Sequence, residues 1–432
     1  MTEQQQHHQQ QHRKTVDVLV LGGGAAGVCA AISAARSGLS VLLVESQGCL
    51  GGSRTATGVD TFYGFYTPKE QQRIVGGIPW EIASQLTEAN AAFERKNTYG
   101  AGTGITYDVE RLKMVYEQAV LESGAELLFH TYASEVHVTE GTITGVLLAN
   151  KRGLTEVSAK VYVDTTGDGD IAARSGALFE QSETKDLQSL STIFFMGGVD
   201  TAAAKRVSHA DMAAMMKEAN ASGKYVLPRE EGSWHITPNP GVIQANMVRV
   251  SGVDATDPYA LTLAEVEGRK QTQQYVAFLK ECVAGFEHAF LMSTSHYIGV
   301  RETRRIIGEY MLTEEDVVAG RRFEDGIACC GAPVEDHGAG KDTRWVYVKD
   351  DGYYHIPYRS LVPQGVGNLL VAGRCLSATH GAQASARNSA QCMAMGQAAG
   401  TAAALSIEGR TMVRSVDAEL LRDRLVSQGA IL

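Results

Sequence analysis

Residues 16–45, VDVLVLGGGAAGVCAAISAARSGLSVLLVE, constrain the fold of this chain more than any other stretch. Residues 16–21 are a short apolar run of the kind a buried parallel strand shows. Gly22, Gly24 and Gly27 follow in the spacing G-x-G-x-x-G. An alanine-rich run over 25–35 reads as a helix stopped by Gly38, and 41–44 reads as a second buried strand with Glu45 at its end. A βαβ unit of this kind carries the dinucleotide-binding fingerprint. Gly22 permits the tight turn, Gly24 lets the backbone approach a pyrophosphate, and Gly27 lets the helix pack close to the sheet. The helix start at Ala25 and Ala26 offers free N–H groups and a positive dipole end to the phosphates. Glu45 can accept hydrogen bonds from both ribose hydroxyls and would repel a 2′-phosphate. An ordinary glycine turn would not need an acid at the end of the second strand.

A chain of 432 residues has room for two domains or one large split one. The formal net charge is -10, with no long basic run or basic, aromatic-rich stripe, which argues against a nucleic-acid partner. Seven cysteines at irregular spacings make no disulfide framework. No apolar run is long enough to span a bilayer, so no membrane partner is expected. The opening, MTEQQQHHQQQHRK, lacks the apolar segment of a secretory signal and is expected to be a disordered Gln/His-rich tail over 1–14. A reducing cytoplasm is the expected location.

Past Glu45, Gly48, Gly51 and Gly52 mark a loop that can run close to a ligand. Residues 61–104, rich in Gly, Tyr and Phe, read as an excursion with a helix near 80–96. Asp108 caps a helix over 109–123, and 126–130 is a strand. Residues 134–139, 142–148 and 155–163 alternate as a β-meander. The meander runs into Thr165, Thr166, Gly167, Asp168, Gly169 and Asp170, with a helix starting at Ile171. Helices are expected at 212–222 and 263–286, and short strands near 297–301, 345–348 and 353–357. Residues 368–372 form a last strand, Gly373 and Arg374 a turn, and 385–406 an Ala/Met/Gly-rich helix. The Gly100–Gly104 run follows no buried strand and is discounted as a second fingerprint.

Three glycine-bearing strand ends, at 22–27, 165–170 and 370–374, together resemble the two-domain FAD-dependent oxidoreductases distantly related to fumarate reductase and succinate dehydrogenase flavoproteins. The segments YIGVRETRRIIGEYMLTEEDV, YHIPYRSLVP and NLLVAGRCLSATHGAQASARNSAQCMAMGQAAGTAAAL bring the chain closest to a bacterial subgroup of mostly unassigned substrate. The resemblance implies an α/β fold, a Rossmann-like FAD-binding domain with a β-meander, interrupted by an inserted α+β substrate domain. The cofactor domain would comprise 15–65, 105–180 and 363–410, the cap 66–104 and 181–362, with a C-terminal helix in 411–432. FAD, held non-covalently, would lie against Gly22, Gly24, Ala25, Ala26, Gly27, Glu45, Ser46, Gly51, Gly52, Ser53 and Arg54. Val136 would flank the adenine, and Thr166, Gly167, Asp168, Gly373, Arg374, Arg387 and Ala390 would complete the site. Arg374 stands where the family more usually has an acid. The helix opening around 388–395 would aim its N-terminus at the flavin pyrimidine edge.

A flavin accepting hydride from a C–H bond needs a base for the accompanying O–H or N–H proton. The candidates are His380, Arg301, Tyr358 and His355. His380 precedes Gly381 in the loop entering the last helix, where related enzymes present a substrate-facing His-Gly. Arg301 is expected to face the site from a strand and Arg305 to pair with a carboxylate; Tyr358 would help close the substrate pocket. No C-x4-C follows the first unit, which disfavours a disulfide-reductase mechanism; Cys329 and Cys330 read as ordinary buried thiols, and no metal site is expected. The expected function is hydride transfer between flavin N5 and a small polar or anionic organic substrate. The alternative is a flavin- or dinucleotide-binding protein without redox turnover, a sensor or a self-sacrificing biosynthetic protein. Substrate, reaction direction, electron acceptor and oligomeric state are not legible.

Overall fold

The computed structural model of the protein describes residues 13–97, 101–338 and 343–432. Of the tail expected over 1–14, only Arg13 and Lys14 lie within the described residues, and they open the first strand. Of the discounted Gly100–Gly104 run, Gly100 lies outside the described residues, and Thr103 opens a strand, Thr103–Tyr107. The strand β1 (Arg13–Leu21), the helix α1 (Ala25–Arg36) and β2 (Val41–Val44) form the first βαβ unit. The helix α2 (Val109–Glu122) leads to β3 (Glu126–Leu128). The meander follows as β4 (Tyr132–Thr139), β5 (Thr142–Asn150) and β6 (Gly153–Asp164). Far along the chain, beyond the helix α3 (Pro258–Cys282), come β7 (Leu369–Val371), α4 (His380–Ala386) and α5 (Ser389–Gly409).

These seven strands make one sheet in the order β3-β2-β1-β6-β5-β4, with β7 also on β6. The β2-β1, β1-β6, β2-β3 and β6-β7 pairs are parallel, while β5 is antiparallel to both β4 and β6. Val18, Leu19 and Val20 are fully buried, as a central parallel strand covered on both faces requires. The carboxyl ends of β1, β2, β6 and β7 therefore converge, and their loops supply the glycine motifs.

Small residues set the spacing of the layer behind the sheet. A Cβ on Gly396 would lie 2.0 Å from the Ala26 carbonyl oxygen, and one on Gly400 2.3 Å from that of Ala30. Helix α5 thus packs directly on α1, and the Ser33 and Thr401 hydroxyls hydrogen-bond at 2.8 Å. A separate core, with Phe194, Tyr275, Phe278 and Phe286 fully buried, lies under a four-stranded sheet of Ser233–Ile236, Ile243–Asn246, Phe194–Gly197 and Phe290–Thr294.

Three expected elements differ. The helix near 80–96 is a helix Ile78–Glu88 followed by a strand Ala92–Lys96, because Asn90 adopts a left-handed φ of 54° that ends the helix. Residues 297–301 are not a strand: Gly299 makes only an isolated bridge to Ser191. The single helix over 385–406 is two helices, broken where Asn388 is extended and its Nδ2 donates to the Ser385 carbonyl oxygen at 2.7 Å. His380 therefore opens α4 instead of standing in a loop. Among the described residues no helix is long and apolar enough to cross a membrane.

Candidate functional site

A cavity of about 750 Å³ runs along the carboxyl ends of the parallel strands and on to the four-stranded sheet. That volume is within the range of small-molecule sites. Of the residues expected to hold the cofactor, Gly22, Gly24, Ala25, Ala26, Glu45, Ser46, Gly52, Ser53, Arg54, Thr166, Gly167, Asp168, Gly373, Arg374 and Arg387 line it.

The first glycine motif separates into a scaffold and an opening. Gly22 has φ +104°, and a Cβ there would meet the Thr165 carbonyl oxygen at 2.5 Å. Thr165 Oγ1 also donates to the Gly22 carbonyl oxygen at 2.6 Å, tying the β1 and β6 turns together. Around a Cβ built on Gly24 there is nothing within 4 Å: that space faces the cavity at the N-terminus of α1, whose first turn carries no acid. Gly27 is buried and does not line the cavity; a Cβ there would clash with the Gly22 carbonyl oxygen at 1.8 Å. Gly51, in the left-handed region, supports Gly24 from behind, its N–H donating to the Gly23 carbonyl oxygen at 2.7 Å.

The Glu45 carboxylate is oriented by three donors, the Gly23 N–H at 2.7 Å, the Gln47 N–H at 2.8 Å and the Ser46 hydroxyl at 2.9 Å. A carboxylate has about four lone-pair sites, so it retains capacity for hydroxyls of a ligand. Val136 does not line the cavity. It is half-buried and packs against the core under the meander, and Thr131, Tyr132 and Ala133 line this end instead. The signal that could have found them is position: Thr131 follows the carboxyl end of β3, the next parallel strand after β2.

At the second and third motifs, Arg374 Nη2 donates to Asp168 Oδ1 at 3.0 Å, and Thr303 Oγ1 donates to the same oxygen at 2.8 Å. Arg374 Nη1 is buried without a hydrogen-bond partner. Ala390 lies just inside α5, its N–H donating to the Tyr63 carbonyl oxygen at 3.1 Å, and does not line the cavity; Asn388 and Ser389 do.

The far end of the cavity is built by residues 299–301, 335 and 337 and the α4–α5 break. Arg301 Nη1 donates to the Ser189 carbonyl oxygen at 2.5 Å and to Ser191 Oγ at 2.9 Å. Arg387 Nη2 donates to Gln188 Oε1 at 2.9 Å and to the Glu335 carbonyl oxygen at 3.3 Å, while its Nε is buried without a partner. Burial, and next the charge of Arg387, push Arg301 well below the usual arginine range. Burial alone would raise the Glu335 carboxyl; the hydrogen bond from the His337 ring and the charges of the Arg387 and Arg301 guanidiniums outweigh it and hold the group down. Burial and Arg301 push the His337 imidazole down to about 3, so it is neutral, 2.9 Å from Glu335 through Nε2. Sequence reasoning misses Glu335 and His337, which sit on and just past the short strand Val334–Asp336; that strand carries no motif.

The other expected catalytic residues lie outside the cavity lining. His380 is clamped between carboxylates, with Nδ1 2.9 Å from Glu302 and Nε2 3.1 Å from Asp336. Asp336 first, then Glu302, raise its imidazole to about 9. Arg305 pairs with Glu302, the carboxylate partner that the sequence leads one to expect. Tyr358 is buried and donates its hydroxyl to the Val413 carbonyl oxygen at 2.6 Å. His355 is packed against residues 323 and 326, its Nδ1 3.2 Å from the Phe323 carbonyl oxygen.

A glycine cradle at a helix N-terminus, an acid at the end of β2 and a cavity continuing past two further strand-end turns define a dinucleotide-binding flavoprotein of Rossmann type. The chain belongs to the FAD dependent oxidoreductase family, whose profile it matches over residues 17–425. Its cofactor is FAD, and it is a flavin redox enzyme acting on a small molecule; the non-redox alternative falls away. Its fold is that of the flavin-dependent brominase Bmp2, with 14% identity, TM-score 0.50, 96% of this chain and 84% of that one covered. Two further similar structures are p-nitrophenol 4-monooxygenase PnpA from Pseudomonas putida DLL-E4 (11% identity, TM-score 0.48, 96% and 85% covered) and a geranylgeranyl bacteriochlorophyll reductase-like protein from Thermoplasma acidophilum (12%, 0.48, 96% and 84%). No curated protein matches the chain.

Proposed function

We propose that this enzyme transfers a hydride between flavin N5 and a small anionic organic substrate, with FAD held non-covalently. The open space at Gly24 and the unpartnered Arg374 Nη1 fit a long phosphate-bearing cofactor. Gly22, Gly24, Ala25 and Ala26 would take the pyrophosphate, Glu45 and Ser46 the ribose, and Gly52, Ser53, Arg54, Thr166, Gly167, Asp168, Gly373 and Arg374 the remainder. Bound there, the flavin supplies a two-electron acceptor or donor.

The observation that carries the substrate class is the pair Arg301 and Arg387. Two guanidiniums in the cavity wall share Glu335 and a neutral imidazole; Glu302, the other carboxylate felt by Arg387, is already taken by Arg305 and His380, and Arg387 Nε has no partner. Arginine does not shed its proton in proteins, so the deficit of negative charge is relieved by an anion. Arg301 and Arg387 then bind and orient the substrate, and His380 positions the segments around them.

The test is anaerobic reduction of the bound flavin by a panel of small carboxylates. A hydrogen bond to a charged group contributes about 1.5–3 kcal/mol, so Arg301→Met should raise KM roughly 10- to 100-fold. It should leave the flavin spectrum unchanged, and acid precipitation of either protein should free all the FAD. Flavin bleached only by neutral compounds, or a KM unmoved in Arg301→Met, refutes the reading.

A further inference from the structure

The proton that must accompany hydride transfer has no acceptor in His380 or His337. His380 is held charged by two carboxylates, and His337 is neutral with its Nε2 engaged by Glu335 and its Nδ1 3.2 Å from Thr343 Oγ1.

A different wall of the cavity supplies one. The antiparallel strands Ser233–Ile236 and Ile243–Asn246 pair Ser233 with Asn246 and His235 with Gln244. Alternate side chains of a strand share a face, and these four polar residues all line the cavity, while Ile243 and Ala245 are buried in the cap core. His235 Nε2 lies 2.8 Å from Asp60 Oδ1. Asp60 is fully buried, lines the same cavity, and its Oδ2 has no hydrogen-bond partner, as does Oε1 of the neighbouring Gln244. A buried carboxylate oxygen left without a donor is costly to folding, so its retention asks for a role. A carboxylate on Nε2 fixes the tautomer with the proton there and leaves the Nδ1 lone pair to accept. The charged and titratable groups around the pair are Arg95 and Tyr107 beside Asp60, and Glu265 in the cavity lining. His235, Arg95, Ser233 and Trp234 also line a second cavity of about 410 Å³ bounded by Lys205 and His209, so the imidazole borders two spaces.

We propose that His235, oriented by Asp60, is the catalytic proton acceptor. As the substrate C–H bond breaks and its electron pair passes to the flavin with the hydrogen, the adjacent O–H or N–H bond breaks. Its proton goes to His235 Nδ1, and its electron pair forms the C=O or C=N bond. In reverse, the imidazolium returns the proton. Asp60 keeps its charge throughout and stabilises the imidazolium, acting as a positioning residue. This rests on the hydride-transfer reading above.

The experiment is stopped-flow anaerobic reduction with glycolate, lactate, malate, alanine and glutamate, comparing wild type, His235→Gln, Asp60→Asn and the double variant. All four should purify with full FAD. Loss of a general base costs on the order of 10²–10⁴-fold, so His235→Gln should slow flavin reduction by that factor with KM little changed. Asp60→Asn should also slow it, and the double variant should be no slower than His235→Gln. Reduction in His235→Gln within threefold of wild type overturns the proposal. A panel that fails to reduce even wild type counts against the hydride-transfer reading instead, and the pair is then judged without turnover. In 15N-histidine-labelled holoenzyme, His235 should carry its proton on Nε2, and Asp60→Asn should release that preference. A proton on Nδ1 overturns the assignment.

Discussion

Three glycines of one motif do different work at the scale of single residues. Gly22 is glycine because its backbone is left-handed and a side chain would strike Thr165. Gly27 is glycine because the helix turns directly over the Gly22 carbonyl. A methyl group added at Gly24 would meet no protein atom within 4 Å, so the smallness of this residue serves only what enters the cavity. Gly24→Val should therefore fold with the melting temperature of the FAD-free wild type and yet purify colourless, read as absorbance near the flavin band against protein concentration. A yellow Gly24→Val protein would mean the phosphates lie elsewhere. Gly22→Val, by contrast, should lower the melting temperature of the FAD-free protein.

Elements explain why the second half of the site is harder to read. The turns after β1, β6 and β7 are legible because each follows a buried strand and spells out its geometry in glycines. The wall of Ser233, His235, Gln244 and Asn246 consists of two four-residue strands, too short for alternation to stand out from the surrounding loops. The sequence predicts a substrate-facing His380, because 385–406 reads as one helix with a loop before it. The break at Arg387 and Asn388 moves the exposed turn seven residues onward, so Arg387 reaches the cavity and His380 does not. What His380 does is join three elements: α4, the segment carrying Arg301 next to Glu302, and the end of the strand Val334–Asp336, where Asp336 separates Glu335 from His337. Its pKa is raised to about 9 by this clamp, against about 6.5 for a free imidazole. A raised folded-state pKa contributes stability that is complete below the unfolded value and lost as pH climbs through the folded one. Urea midpoints of wild type should accordingly fall between pH 7 and pH 10, and His380→Gln should lack that component of the fall. Identical pH dependence in the two proteins would remove the clamp as a source of stability.

For the whole molecule, one sheet gathers strands from early and late in the sequence, and the four-stranded sheet with its own core lies between them. That arrangement is legible as a return of the nucleotide pattern at 368–405, because Ala, Gly and Met at close spacing describe a helix that must lie tight against another. What is not legible is how charge is arranged around the far end of the cavity, since Arg301 lies on irregular backbone and Glu335 and His337 lie on and just past a short strand without a motif. The two-domain division remains our proposal for how the chain is partitioned.

The docking of β7 on β6 and of α5 on α1 also sets a timetable for biosynthesis. Leu369 lies far beyond Leu21 in the chain, so at about 5–20 residues per second a ribosome adds it roughly 17–70 s after finishing β1. Until then the nascent chain has the first glycine turn but neither the Gly373 turn nor the helix that backs α1 through Gly396 and Gly400. FAD is therefore expected to load only once α5 has been made, and contacts between residues as far apart as Ser33 and Thr401 are expected to make assembly slow. A chain ending at residue 367 should emerge without bound flavin however much is supplied during translation, whereas adding FAD to the released full-length apoprotein should suffice to turn it yellow.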